Sequence, residues 1–187
     1  YTLGVCRSFQ IPQLYNSMTA VENLEAAFGI VLLNSASGGW FVSPRTPVPG
    51  YGAPIRELAE QALERFELTA YRDKVTRVLP GGVRKVLDIA MAMAVQPKIL
   101  LLDEPTSGVS AEEKFGIMDM VMGVVREAGT TVVFVEHDME VVARHADRVL
   151  AFYDGRIIAD GKPDEALNHE QVLKHIVGHT QHATTGQ

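Results

Sequence analysis

The chain has 187 residues and is 47% hydrophobic, enough for one good core with room for a small subdomain. A formal charge of −6, without any cluster of lysine or arginine, argues against a nucleic-acid surface and against nucleic acid as a partner. The single cysteine, Cys6, excludes an internal disulfide framework and fits a reducing compartment, and no apolar stretch approaches the ~20 residues that cross a bilayer.

The opening residues, Tyr1–Val5, carry no charged leader and read as the interior of a longer chain rather than a signal peptide. Leu3 to about Gln13 reads as a strand leaving a core and entering a turn. Thr19 to about Ala94 reads as mostly helical, with Val21, Leu24, Ala27, Phe28 and Val31 at helical spacing. Ser35–Pro54 is a loop rich in glycine and proline. Ile55–Leu68 resumes a helix on Ile55, Leu58, Ala59, Ala62, Leu63 and Phe66. Gly81–Gly82 opens another helix, which Pro97 stops.

From Lys98 strand and helix alternate. Ile99–Leu102 is an apolar run expected to be buried on both faces, as in a parallel sheet. Ser110–Glu113 has the S-x-x-E spacing of a capping box, which predicts a helix from Ala111 to Gly129. Thr130–Val135 is a second buried strand, and Asp138–His145 a short helix. Val149–Tyr153 and Arg156–Ala159 form a hairpin about Asp154–Gly155. Asp164–Val177 is a last amphipathic helix, and His179–Gln187 a polar tail.

The chemistry gathers at strand ends. The strand through Leu102 ends in Asp103 and Glu104, where open α/β sheets bind ligands. Two neighbouring acids there suit a magnesium-phosphate site, one holding the metal and the other steering a water. The bland alternative is a polar strand end in solvent. Gly81–Gly82 at a helix start offers backbone N–H groups to an anion, or is an ordinary turn. No G-x-x-x-x-G-K-[ST] phosphate loop occurs in these residues. Met91, Met93, Met118, Met120 and Met122 read as core packing, Cys6 as a small buried apolar residue, and Arg84–Lys85 as a solvated face. Of the six histidines, His145, His169, His175, His179 and His182 read as surface residues without metal-ligand spacing.

Taken in order, Arg7–Ser8–Phe9–Gln10, Leu79–Pro80–Gly81–Gly82–Val83, Ile99–Glu104, Ser107–Ser110 and Glu136–His137 resemble the ATP-binding domain of ABC transporters. They stand where that family has its Q-loop, signature, Walker B strand, D-loop and switch histidine. A narrower resemblance runs through Ser8–Leu14, Val83–Ala90 and Glu104–Lys114. It points to the ATP-binding subunits of bacterial branched-chain or hydrophobic amino-acid importers.

The resemblance implies an α/β fold. It would be a P-loop NTPase-like parallel sheet core lacking its N-terminal strands, with a helical subdomain and a C-terminal hairpin and helix. The whole chain, 1–187, would be one partial ATP-binding domain. Its helical subdomain would span about 18–96, and residues 1–17 and 97–187 would form the core and C-terminal part. The Walker A loop would lie upstream of Tyr1. The implied cofactors are ATP and Mg²⁺. Asp103 and Gln10 would serve the metal, Glu104 the attacking water and His137 the γ-phosphate. Gln10, Leu79, Pro80, Gly81, Gly82 and Ser110 would contact nucleotide.

The implied partners are a second ATP-binding subunit and transmembrane permease subunits, with the protein peripheral on the cytoplasmic face of a bacterial membrane. Ile11, Leu14 and Tyr15 would either dock a permease helix or belong to the subdomain core. Two departures from the family pattern stand out. Pro80 and Val83 replace the usual serine and glutamine of the signature, and Ser110 stands where aspartate is usual. Residues 1–187 alone are expected to be inactive as an ATPase. The alternative is a truncated or degenerate module that serves pairing or regulation.

Overall fold

The computed structural model describes residues 4–8, 12–34 and 43–177. Gln10, Ile11 and the tail His179–Gln187 lie outside the described residues. The chain divides into two compact units, Tyr1–Val135 and Glu136–Gln187.

The first unit is built on a parallel sheet of three strands in the order β1-β2-β3, with β1 at Val5–Ser8, β2 at Ile99–Asp103 and β3 at Thr131–Val135. Val5 lies opposite Ile99 and Ser8 opposite Leu102, and on the other side Ile99 pairs with Thr131 and Asp103 with Val135. Parallel strands need long connections. Among the described residues three α-helices fill the first connection, α1 (Ala20–Leu33), α2 (Ile55–Arg65) and α3 (Gly81–Met93), and α4 (Lys114–Glu127) fills the second.

The helical periodicity read from the sequence becomes burial. Val21, Leu24, Ala27 and Phe28 of α1, the five-residue stripe of α2, and Val86, Leu87, Ile89 and Ala90 of α3 share one core with Leu100 and Leu102. Val121, Val124 and Val125 of α4 close it. Met93, Met118 and Met122 are buried, as core packing requires. Tyr51 pins the described end of the 35–54 loop to the core. Its ring meets Phe28 edge-on at 5.4 Å, and its hydroxyl donates to the Ala94 carbonyl at 3.0 Å.

β2 is covered on one face only. Leu100 and Leu102 are buried, while Ile99 is exposed and Leu101 is half-buried. On the same open face Val133 and Val135 are 52% and 63% exposed. The expectation of strands buried on both faces therefore fails: in β2 only the alternate residues Leu100 and Leu102 are buried, and no residue of β3 is fully buried, because the helices of this unit cover one face of the sheet.

The capping box sits at a different helix from the one expected. The N–H and hydroxyl of Thr19 both donate to Glu22 Oε2, at 2.7 and 2.9 Å, and the Glu22 N–H donates back to Thr19 Oγ1. Those bonds hold the Glu22 carboxyl below its ordinary pKa. Thr19→Ala removes the reciprocal pair and is expected to cost about 1 kcal/mol, read as a lower urea midpoint with an unchanged slope. At Ser110, by contrast, the hydroxyl donates to the Glu113 side chain at 2.7 Å rather than accepting from its N–H. Residues 111–113 form turns, and α4 begins at Lys114, three residues later than the spacing predicts.

In the second unit α5 (Met139–His145) is capped by Asp138, whose Oδ1 accepts from Glu140 N–H and Val141 N–H. β4 (Val149–Tyr153) and β5 (Arg156–Gly161) pair antiparallel. Both residues of the connecting turn have positive φ, Asp154 at 47° and Gly155 at 72°, the type I′ geometry that Asp-Gly favours. Arg148 grips Asp160 across the hairpin with two bonds of 2.8 and 2.7 Å, holding that carboxyl below its ordinary pKa.

The expected single C-terminal helix is broken. α6 (Pro163–Leu167), α7 (Glu170–Val172) and a π-type turn at Leu173–Val177 replace it. Asn168 donates back to the Asp164 carbonyl, and His169 Nδ1 accepts from Gln171 N–H, so this pair ends one helix and caps the next. No described helix is long and apolar enough to cross a membrane.

Candidate nucleotide site

Parallel pairing places Glu104 directly beyond β2, where its N–H donates to the Val135 carbonyl at 2.9 Å and extends the β2–β3 ladder by one bond. Its carbonyl accepts from Ser107 N–H at 3.0 Å and closes a turn. Glu104 has φ +46°, a left-handed conformation rare for a non-glycine residue, and it precedes Pro105, which further narrows its backbone choices. Strain of this kind costs about 1–3 kcal/mol and is found where the surroundings over-determine a functional residue. Glu104 is half-buried at the strand end.

Asp103 precedes it on the open face of the sheet. Because Arg7 lies opposite Leu101, its side chain reaches diagonally to Asp103, and Nη2 donates to Oδ2 at 2.8 Å. Sequence reading did not assign this pair; the signal was the parallel register, which exists only once β1 and β2 are aligned. The two side chains are 52% and 33% exposed, so the bridge is worth about 0–1 kcal/mol and is readily exchanged for another cation. No cluster of three or more acidic, histidine or cysteine side chains suited to metal occurs among the described residues. A protein contribution of one or two carboxylate oxygens fits Mg²⁺, which takes most of its ligands from phosphates and water.

The residues Leu79–Val83 form the approach and first turn of α3. Leu79 is buried and anchors the turn, and Pro80 is the N-cap residue with φ −54° and no side-chain cap bond. The first backbone donor with a helical partner is Arg84, to the Pro80 carbonyl at 3.0 Å. The preceding N–H groups therefore define the positive end of a 13-residue helix. The glycines also serve packing. A Cβ on Gly81 would lie 3.3 Å from the Gly108 carbonyl oxygen, and one on Gly82 would lie 3.0 Å from Ile117 Cδ1. Leu79–Val83 and Ser107–Ser110 are thus brought together, with Ser110 exposed at the entry to α4.

Other expectations need correction. Lys85 is 2% exposed, and Arg84 is half-buried with Nη1 donating to the Thr76 carbonyl and Nη2 to Asn16 Oδ1, so this pair is no solvated face. Lys85 is buried because α3 packs against α1, β1 and α4, while Arg84 is held at the edge of that packing by its two bonds. His145, expected at the surface, is 5% exposed on the buried side of α5. His175 is half-buried and stacks on Tyr153 with ring centroids 4.4 Å apart, while His169 is exposed. Cys6 is half-buried, and burial pushes its thiol pKa up. His137 is exposed and immediately precedes the cap residue Asp138.

Near the start of α1 lie exposed apolar residues. Leu14 is half-buried against the core, whereas Tyr15, Met18 and Val78 are exposed. They sit on adjoining segments, because Thr76 N–H donates to the Met18 carbonyl and Thr76 Oγ1 to the Tyr15 carbonyl, each at 2.9 Å.

Comparison with known proteins agrees with this architecture. Residues 2–107 match the family model for the ABC transporter, and the chain belongs to that family. It is 31% identical over 179 residues to the probable branched-chain amino acid transport ATP-binding protein LivG of Archaeoglobus fulgidus, covering 94% of this chain and 66% of that protein. It is 33% identical over 178 residues to the high-affinity branched-chain amino acid transport ATP-binding protein BraF of Pseudomonas aeruginosa, covering 94% and 68%. The chain thus spans about two thirds of the length of these relatives. The solved structure of cbiO1 from Clostridium perfringens, described as part of the ABC transporter complex cbiONQ, superposes with a TM-score of 0.71 at 26% identity. That alignment covers 97% of this chain and 68% of cbiO1.

Proposed function

We propose that the complete protein is the ATP-binding and ATP-hydrolysing subunit that powers import of branched-chain amino acids through a membrane ABC transporter. The observation that carries this reading is Glu104, strained at the carboxyl end of β2 beside Asp103, in a chain of the ABC transporter family. The relatives' names supply the solute class.

In this reading Glu104 accepts a proton from the water as it attacks the terminal phosphate and the bond to the leaving ADP breaks, and Asp103, now bonded to Arg7, would hold the Mg²⁺. Bound Mg²⁺ would neutralise charge developing on the phosphates. Gln10 and His137 take the roles of the family's Q-loop glutamine and switch histidine, with Gln10 also serving the metal. Leu79, Pro80, Gly81 and Gly82 present the positive end of α3 to nucleotide held by a second ATP-binding subunit, with Ser110 at the neighbouring turn. Pro80 contributes no hydroxyl, so that contact rests on backbone N–H groups and the helix dipole. Tyr15, Met18 and Val78 would offer an apolar patch to a permease helix, with the subunit peripheral on the cytoplasmic face of the membrane.

The test uses the complete protein. Mg²⁺-dependent ATP binding and hydrolysis are expected, with Asp103→Asn weakening the Mg²⁺ dependence about tenfold or more. Permease-containing vesicles should take up leucine, isoleucine or valine when ATP is supplied. Absence of Mg²⁺-dependent nucleotide binding by the complete protein overturns the ATPase reading; uptake of some other solute class overturns only the substrate.

A further inference from the structure

α3 is held on one side by a polar grip that neither catalysis nor the hydrophobic core explains. Arg84 and Asp88 are four residues apart and so share a face of the helix. Asp88 is buried, and so is its partner Ser8. Ser8 Oγ donates to Asp88 Oδ2 at 2.5 Å, and Gln13 N–H donates to Asp88 Oδ1 at 2.9 Å. One turn earlier, Arg84 donates to Asn16 Oδ1 at 2.9 Å and to the Thr76 carbonyl at 2.6 Å. Ser8 is the last residue of β1, and Gln13 lies five positions later on the way to α1. A carboxylate is suited to this place because it offers two acceptor oxygens and no donor, one oxygen for each flank of the intervening chain.

We infer that Asp88 is a positioning residue: by bonding Ser8 with one oxygen and Gln13 with the other, it ties the chain on both sides of Gln10 to the helix that begins at Gly81. The inference rests on the ATPase reading above. Its consequence is that displacement of Ser8 or of Gln13 is handed directly to α3. The apolar core alone could let the segment slide, because dispersion contacts are not directional. Hydrogen bonds from two separated points to one buried side chain fix both position and rotation.

The test compares Asp88→Ala, Asp88→Asn and Ser8→Ala in the complete protein. Asn keeps an acceptor for Gln13 N–H and can donate to the Ser8 hydroxyl, so it serves as the conservative rescue. For Asp88→Ala, hydrogen exchange in residues 12–16 is expected to accelerate about tenfold or more while residues 85–93 stay protected. The kcat for ATP should fall about ten- to a hundredfold, with KM within about twofold. Asp88→Asn should recover most of both changes. Ser8→Ala removes one bond without altering the helix and should shift exchange in the same direction by less; this variant decides the matter if Asp88→Ala does not fold. Unchanged exchange in residues 12–16 in Ser8→Ala and Asp88→Ala overturns the inference. So does a kcat loss that Asp88→Asn does not relieve. If the unaltered protein hydrolyses no ATP, the ATPase reading fails, and the exchange measurements alone decide whether Asp88 anchors the segment.

Discussion

Replacing Glu104 by Gln in the complete protein is expected to lower ATP turnover by about 10²–10⁴-fold, the range for loss of a positioned acid or base. Gln has the same length and accepts the same backbone conformation at the same cost, so folding and ATP affinity should be nearly unchanged. The variant should therefore hold ATP and fail to cleave it, which equilibrium binding and single-turnover measurements separate. The geometry supports this separation. The Glu104 backbone is fixed by its bonds to Val135 and Ser107, neither of which involves the carboxyl group. Turnover close to that of the unaltered protein would remove Glu104 from the chemistry and leave its strained backbone as a feature of the turn alone.

Truncating Leu100 to Ala is expected to cost about 2–5 kcal/mol, the range for a fully buried leucine. Leu100 is fully buried on the central strand, between Cys6 of β1 and Val132 of β3 in the register, and faces the shared helical core. Against a typical total of about 5–15 kcal/mol, such a loss leaves a marginal fold. The neighbouring Leu101 lies on the other, half-open face and should lose much less on the same truncation. Denaturation midpoints of the two variants check the contrast, and equal losses would show that both faces of β2 are covered in the complete protein.

The strands and the hairpin were legible in the sequence because their signals are local. β-branched and apolar runs at Ile99–Leu102 and Thr130–Val135 give strands within one residue of those observed. Asp154–Gly155 selects its turn by backbone conformation alone. Helix ends were less legible. Ser110–Glu113 and Thr19–Glu22 have equivalent spacing, yet only the second makes the reciprocal bonds. At Ser110 the chain is still leaving the turn that Gly108, at φ +75°, helps to form. The Asn168–His169 break was missed because amphipathic spacing continues across it while side-chain bonds to backbone interrupt it.

At the candidate site, Asp103 and Glu104 were found from the sequence as the end of an apolar run. Their surroundings were not. The Arg7–Asp103 bridge joins residues 96 positions apart, and Asp88 reaches 80 positions back to Ser8. Such pairs have no local pattern and follow only from the register of the sheet and the rotation of α3 about its axis. The burial of Lys85 and His145 was likewise invisible, since both types are usually at the surface.

The same topology predicts an order of assembly. β2 and β3 pair across 32 positions, Ile99 with Thr131, whereas β1 and β2 pair across 94, Val5 with Ile99. Closing the longer loop costs about 1 kcal/mol more chain entropy. β2 and β3, with α4 between them, should therefore zip first, and β1 should dock late, bringing Arg7 and Ser8 to their carboxylates as the closing events of folding. Amides of β1 should gain protection last in a refolding time course.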